Sequence, residues 1–499
     1  MSDLLYGFTA LFSISTFLFM NIGVLVGIII GSIPGLTGTI GIILFLPFSY
    51  VLPSTDAFML LLGIFVGGEF GGAISAILIG TPGDNASAAT MIDGYPLAKQ
   101  GKARKALTMA LYSSGFGSIF SGLALLFFAP MIAGFAIHFG PAEMFSLAVF
   151  GLSVIASISG NSIWKGFVAA GIGVMVALVG IDNMTGVQRF TFGNVNMLRG
   201  LSLMPVLMGL FAIPSILQMV SSPNKKDAGD TIELDKQGLS FAEVKSTIAT
   251  LIRASFIGTL IGAVPGPGTG IAAFMSYDTA KKASKNPETF GKGNLNGIAA
   301  SEAASNAVTG GSLIPLFTLG VPGGPSAAVL MGAFMIHGMV PGPSLFRDQG
   351  ALMFSIMIGM IFIKIFMVIQ GKFLIKAFSY ITKVPNSIMA PVLLVICTAG
   401  AFSVNNSIFD VGVFYAFGFF AFIIGKLGFP VMPISLGYVL GSMAEFQLRR
   451  ALVFSGGSFT IFFTRPISLL FVVITVLTVG FTVYSNWKSK KRMASSIKQ

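Results

Sequence analysis

Charge is scarce in this chain. Lys, Arg, Asp and Glu make up 10% of its 499 residues against 54% hydrophobic, and mean hydropathy is +0.88. A water-soluble domain needs ionised groups over its surface to stay dispersed, so this composition excludes one. Cysteine is scarcer still: Cys397 alone rules out an intrachain disulfide and a thiolate metal centre. The two histidines, His138 and His337, are far apart, which argues against a histidine metal site, and each reads as a packed or loop-end residue rather than a proton relay. No Lys or Arg precedes Lys99, so the first apolar run lacks the basic flank of a cleavable signal peptide and is expected to be a true span with its amino terminus outside. A G-x-x-x-x-G-K-[ST] phosphate loop is missing, so ATP is not the direct energy source. The spans hold no His–Ser–Asp or His–Glu constellation, which speaks against an intramembrane enzyme.

What is abundant is apolar sequence in runs of about 20 residues, the length that crosses a bilayer. Phe (48) and Gly (62) are plentiful, as lipid-facing and closely packed membrane helices require. The prediction is an all-α polytopic membrane protein. The net charge of +12 sits in short clusters between apolar runs, the pattern of cytoplasmic loops rather than of a nucleic-acid patch. The polar stretch "SSPNKKDAGDTIELDKQGLSFAEVK" is too charged to cross lipid and divides the chain. The expected organisation is a first membrane repeat over 1–220, a cytoplasmic loop over 221–248, a second repeat over 249–486 and a basic cytoplasmic tail over 487–499.

Self-similarity supports two repeats. "GSIPGLTGT" resembles "GAVPGPGTG", with Pro34 and Pro265 lying 231 positions apart. "GTPGDNASAATM" resembles "GVPGGPSAAVLM", with Pro82 and Pro322 lying 240 apart. Loop charges give an independent test. In the first half the loop after the early motif, 50–57, has no basic residue, whereas the loop after the late motif carries Lys99, Lys102, Arg104 and Lys105. In the second half the order reverses: Lys281, Lys282, Lys285 and Lys292 follow the early motif, and only Arg347 follows the late one. With basic loops in the cytoplasm, the halves cross in opposite senses, the inverted-repeat plan of many secondary transporters.

Irregular backbone at membrane depth survives only where it faces protein or water, because an unpaired N–H or C=O in hydrocarbon costs several kcal/mol. Four Pro-Gly interruptions in corresponding places therefore mark a shared site. Its candidate residues are Pro34, Gly35, Thr37 and Gly38; Thr81, Pro82, Gly83, Asp84, Asn85 and Ser87; Pro265, Gly266, Gly268, Thr269 and Gly270; and Pro322, Gly323, Gly324 and Ser326. Freed amides at half-helix starts can hold a carboxylate, helped by the helix dipole. Freed carbonyls near Gly80 and Gly320, with the neighbouring hydroxyls, can hold a small cation such as Na⁺.

Intramembrane ionisable groups are few, and Glu69 and Glu302 are candidates for that reason. Glu302, Ser305, Asn306 and Thr309 recur at three- or four-residue spacing and form one polar helix face, either a cavity lining or an interhelix hydrogen-bond seam. Asp93 and Asp278, beside basic loops, read as solvated interfacial charges. Lys364, Lys372 and Lys376 read as a helix end snorkelling to the cytoplasmic surface, and "NWKSKKRMASSIKQ" as a stop signal with Trp487 at the interface.

These motifs resemble the large membrane subunit, TctA, of the tripartite tricarboxylate transporters. The likeness rests on "IPGLTG", "EFGGAISAILIGTPGDNASAATMIDGYPLAKQGKARKAL", "VPGPGTG" and "FGKGNLNGIAASEAASNAVTGGSLIPLFTLGVPGGPSAAVLMGAFMIHGMVPGP", and covers essentially the whole chain. One departure is "EAASNA", where Ser305 stands in place of one of two adjacent asparagines. The resemblance implies secondary active import of a tricarboxylate such as citrate, or a related di- or aromatic carboxylate, driven by Na⁺ or H⁺ without another cofactor. It implies a small membrane subunit (TctB-like) and a periplasmic binding protein (TctC-like) as partners, an elevator-type architecture, and a bacterial inner-membrane location. The rival expectation is a self-sufficient exchanger or cation antiporter, with Glu69 or Glu302 carrying a proton.

Overall fold

The computed structural model describes residues 2–158, 163–182, 184–221, 238–381 and 386–496. Most of the expected inter-repeat loop (222–237) lies outside these residues, as do the side chains of Lys376 and of the tail from Trp487 onward. About four-fifths of the described chain is helical, and eight of the described helices are long and apolar enough to cross a membrane.

The chain forms two compact units, Met1–Gly134 with Phe211–Val411 and Phe135–Leu210 with Gly412–Gln499. The first begins with α1 (Ser2–Ala10), α2 (Ile14–Ser32), α3 (Gly38–Ser49), α4 (Ser54–Ile79), α5 (Ser87–Leu97) and most of α6 (Ala103–Ala136). The second unit opens with α7 (Pro141–Ile158), α8 (Ile163–Ala177) and a short antiparallel pair, β1 (Gly180–Ile181) and β2 (Gln188–Arg189). α9 (Leu203–Ser221) contains a unit boundary. The first unit continues with α10 (Phe241–Ala263), α11 (Gly268–Ala283), α12 (Leu295–Gly311), α13 (Leu313–Leu319) and α14 (Pro325–Ile336). It then runs through α15 (Pro343–Asp348), α16 (Gly350–Ile381) and α17 (Asn386–Ser403). The other boundary falls in α18 (Ile408–Lys426), followed by α19 (Met432–Phe454), α20 (Ile461–Thr464) and α21 (Pro466–Ser496).

In the first unit two helix pairs are packed with backbone almost on backbone. A Cβ at Gly23, Gly27 or Gly31 of α2 would sit 2.3, 2.5 or 2.2 Å from the carbonyl oxygens of Leu60, Ile64 and Gly68 on α4. On α10, a Cβ at Gly258 would sit 2.1 Å from the Ala304 oxygen and one at Gly262 would sit 2.9 Å from that of Val308, both on α12. Membrane helices lack a hydrophobic drive to associate, so small residues at four-residue spacing supply the contact. Gly27 and Gly31 correspond to Gly258 and Gly262 at the offset of 231 found between the early motifs.

The two halves differ at one helix. The sequence predicts a single span over 296–320, yet α12 stops at Gly311 and α13 restarts at Leu313. Pro315 has no N–H to continue the ladder. The equivalent position on α4 is Ser75, which keeps its N–H, and α4 runs unbroken over 26 residues.

In the second unit α8 and α19 meet through Gly173, Gly437 and Gly441, and Ser146 of α7 bonds Ser468 of α21 at 2.8 Å. The β1–β2 loop is held by charge. Asp182 accepts from Met184 N–H (3.0 Å), the Thr185 hydroxyl (2.6 Å) and Arg449 (2.5 Å), while Arg189 pairs with Glu445. The Thr185 hydroxyl and Met184 amide, with Arg449, hold the Asp182 carboxyl well below the usual carboxylate range.

Candidate functional site

Four breaks interrupt the helices of the first unit, and they match in pairs. α2 ends on Ile33 (φ −87°, ψ 120°) with its N–H donated to Ile30, and α10 ends on Val264 (φ −95°, ψ 122°) with its N–H donated to Ile261. Gly35 (φ 86°) and Gly266 (φ 112°) then turn the chain through the left-handed region that side chains avoid. α4 closes on Gly80 (φ 61°) and α13 on Gly320 (φ 70°), both in the same conformation. Thr37 caps α3, its hydroxyl accepting from Ile40 N–H. At the start of α5, Ser87 N–H donates to Asp84 Oδ1 (2.7 Å) and Asp84 N–H to Ser87 Oγ (3.0 Å), so each residue caps the other. Pro325 occupies the first turn of α14, where no N–H is needed.

These segments come together. Gly83 abuts α2 and α4: a Cβ there would lie 2.8 Å from Gly31 O and 2.7 Å from Gly72 Cα. Gly323 meets Gly262 O in the same way at 2.7 Å. Gly266 N–H donates to Gly323 O at 3.2 Å, tying the two breaks of the second half. The halves are joined by a hydrogen bond between Thr39 and Ser326 (2.7 Å) and by Asn85, whose Cβ would be 3.2 Å from one on Gly270. Within this locality Thr81 and Asn85 are exposed, and Pro34, Thr37, Pro82, Asp84, Gly268 and Thr269 are half-buried. Pro265, Pro322, Gly324 and Ser326 are buried. The arrangement offers main-chain amides, carbonyls and small polar groups from four helix ends to one place.

Glu69 of α4 faces Asp84, whose carboxyl lies over Gly72, one turn further along α4. The Glu69 Oε2 is buried with no hydrogen-bond partner among the described residues. Glu302 sits differently. It is buried on α12 and accepts from Thr90 (2.5 Å) and Ser114 (2.7 Å), with Asn306 Nδ2 at 3.3 Å. Ser305, Asn306 and Thr309 are buried as well, and Ser305 and Thr309 bond back to their own helix. Of the two readings open for this polar face, the hydrogen-bond seam is the one its partners describe.

Two residues depart from the sequence reading. Asp93, expected to be a solvated charge, is fully buried. Its Oδ1 accepts the N–H groups of Gly291, Gly293 and Asn294 at 2.7–2.9 Å, and its Oδ2 accepts the Tyr277 hydroxyl at 2.8 Å. The signal was there in "FGKGNLNG": Gly291 and Gly293 have φ of 83° and 102°, and such turns aim successive amides at an anion. Asp278, by contrast, is exposed and pairs with Lys282. Lys364 does not snorkel. It is fully buried, and its ammonium donates to Ser118 O (2.8 Å) and Ser121 Oγ (3.2 Å) on α6. Lys372 is exposed, as a helix-end charge is expected to be. His337 is half-buried, its ring tilted against Phe58 and its Nδ1 at 3.4 Å from Ser54 Oγ.

Among the described residues, eight helices long and apolar enough to cross a membrane mark a multi-pass membrane protein. Residues 17–436 match the tripartite tricarboxylate transporter TctA family, and the chain belongs to that family. It is 33% identical over 490 residues to an "Uncharacterized 52.8 kDa protein in TAR-I ttuC' 3'region" of Agrobacterium vitis, covering 98% of this chain and 97% of that one. It is also 35% identical over 234 residues to an "Uncharacterized protein in TAR-II ttuC' 3'region" of the same organism, covering 47% of this chain and 97% of that protein. No solved structure matches.

Proposed function

We propose that this chain is the large membrane subunit of a tripartite importer of carboxylates, driven by a cation gradient. The observation that carries the reading is the meeting of four paired helix breaks in one unit. An anion there is held by the N–H groups at the starts of α3, α5, α11 and α14, aided by their dipoles and by the hydroxyl and amide groups of Thr81, Asn85, Thr269 and Ser326. The carbonyls released near Gly80 and Gly320 suit a companion cation. Family membership supports a small membrane subunit and a periplasmic binding protein as partners, a tricarboxylate or related carboxylate as solute, and residence in the bacterial inner membrane. The matched local geometry and reversed loop charges support two repeats of opposite sense, in which the unit bearing the site carries the solute across.

The test is uptake into proteoliposomes. With candidate di- and tricarboxylates outside, an imposed Na⁺ or pH gradient and both partners present, wild type accumulates solute, and omitting the binding protein abolishes uptake. Asn85→Ala and Thr269→Val each lower uptake at least tenfold while the protein remains monodisperse. These are better probes than Gly83→Leu, whose side chain would collide with α4 and α2. Undiminished transport by both variants refutes the site, and transport without the binding protein favours a self-sufficient exchanger.

A further inference from the structure

The reading above leaves two buried ionisable groups without a task, Glu302 on α12 and Lys364 on α16. Both contact one face of α6, where Ser114, Ser118 and Ser121 recur at spacings of four and three. α6 and α12 run side by side in register: a Cβ at Gly117 would lie 2.0 Å from Ala303 O, and one at Gly310 would lie 2.6 Å from Ser121. Ser118 and Asn306 therefore share the stretch between Glu302 and Lys364. Ser118 Oγ and Asn306 Oδ1 are both buried without a hydrogen-bond partner among the described residues.

The hydroxyls around Glu302 have a property that a purely structural seam does not need. Ser114 Oγ is 2.7 Å from Glu302 Oε2 and also 2.7 Å from Ala110 O. Thr90 Oγ1 is 2.5 Å from Glu302 Oε1 and 2.9 Å from Ser301 Oγ. Each hydroxyl has one proton and two acceptors. With Glu302 ionised, both hydroxyls donate to it. When a proton arrives on Oε2, the acid donates to Ser114 Oγ and Ser114 turns to donate to Ala110 O. No buried group loses its partner in either state. Lys364 sits about two turns further along α6, its ammonium beside Ser118 O, Ser121 Oγ and Gly122.

We propose that the α6–α12 seam is a proton-binding site, with Glu302 as the acceptor and Ser114 and Thr90 as its rotating partners. The inference deepens the carrier reading by naming the proton as the coupling ion. Other ionisable groups facing the seam are Glu69 on α4, Asp84 before α5, Asp93 on α5 and Tyr277 on α11. α10 turns Arg253 outward, and Asp56 of α4 is engaged by Ser15 and Thr16.

The test is infrared difference spectroscopy of the purified full chain in lipid nanodiscs, titrated from mildly alkaline to mildly acidic pH. In a Glu69→Gln, Asp84→Asn background, the carbonyl stretch of a buried carboxylic acid is expected to rise on acidification and to vanish when Glu302→Gln is added. Ser114→Ala is expected to move the midpoint up by about one pH unit, a tenfold tighter proton. If Glu302→Gln does not fold, Ser114→Ala serves, because losing that donor raises the midpoint. A band that survives Glu302→Gln in that background, or a midpoint unmoved by Ser114→Ala, overturns the proposal. This readout involves no transport. Loss of the band with uptake intact removes the proton site alone, and absence of uptake with the band intact removes the carrier reading alone.

Discussion

Asp93 accepts three main-chain N–H groups on one oxygen and a phenol on the other, so its removal strands a buried phenol and three part-buried main-chain donors. An unsatisfied buried donor costs about 1–3 kcal/mol. Asp93→Ala is therefore expected to destabilise the protein by roughly 3 kcal/mol or more, and Tyr277→Phe by about 1 kcal/mol, read as the loss of melting temperature in detergent. A melting temperature unchanged in Asp93→Ala removes the claim. This residue was hidden in the sequence because its neighbours in the chain are a basic loop, and the partners that bury it lie about 200 positions away. Lys364 was hidden for a related reason. A lysine within an apolar run looks the same whether it reaches the surface or turns onto a serine face that only tertiary structure supplies.

Helix breaks were readable because their cause is local: Pro and Gly remove a donor or admit positive φ wherever they fall. The α12–α13 interruption was not legible because Gly310 and Gly311 stand four or five residues before Pro315 and not as an adjacent Pro-Gly pair like those at the other breaks. Packing faces were not readable, since a helix apolar all round gives no direction to its seam. For the α10–α12 seam, Gly258→Leu drives a side chain into the Ala304 carbonyl and is expected to cost at the upper end of the roughly 1–3 kcal/mol typical of overpacking. Gly171→Leu, with nothing within 4 Å, is expected to change stability by less than about 0.5 kcal/mol. Equal melting of the two variants contradicts the seam. In the β1–β2 loop, the depressed Asp182 carboxyl contributes stability that is complete above its unfolded value of about 3.9 and is lost as pH falls below it. Amide exchange over 181–189, corrected for intrinsic rates, is expected to quicken between pH 5 and pH 3 (about one unit either side of that value) in wild type and to stay flat in Asp182→Asn. A flat wild-type profile speaks against the network.

At the scale of the whole molecule, hydropathy was enough to read the class, and loop charge gives an expectation for the sense of each crossing. The grouping into compact units was not legible, because the polar stretch near 222–237 marks a division along the chain, whereas packing joins 1–134 with 211–411. Orientation can be measured directly, since the one native thiol, Cys397, is buried. Single cysteines at Lys102 and Lys285 are expected to react with an impermeant reagent only from the cytoplasm, and those at Val51 and Val340 only from outside. Lys102 and Lys285 labelling from opposite faces rules out halves of reversed sense.

The carboxylate knot at Asp93 also bears on motion. It fastens the late arm of the first half to the loop that follows the early arm of the second, and Asn85 and Gly270 touch further along the same two elements. Arms stitched at both places travel in step. A pathway that opens by prising them apart would tear four hydrogen bonds at every turnover. Access to the bound solute is thus expected to change around this pair and not between its members.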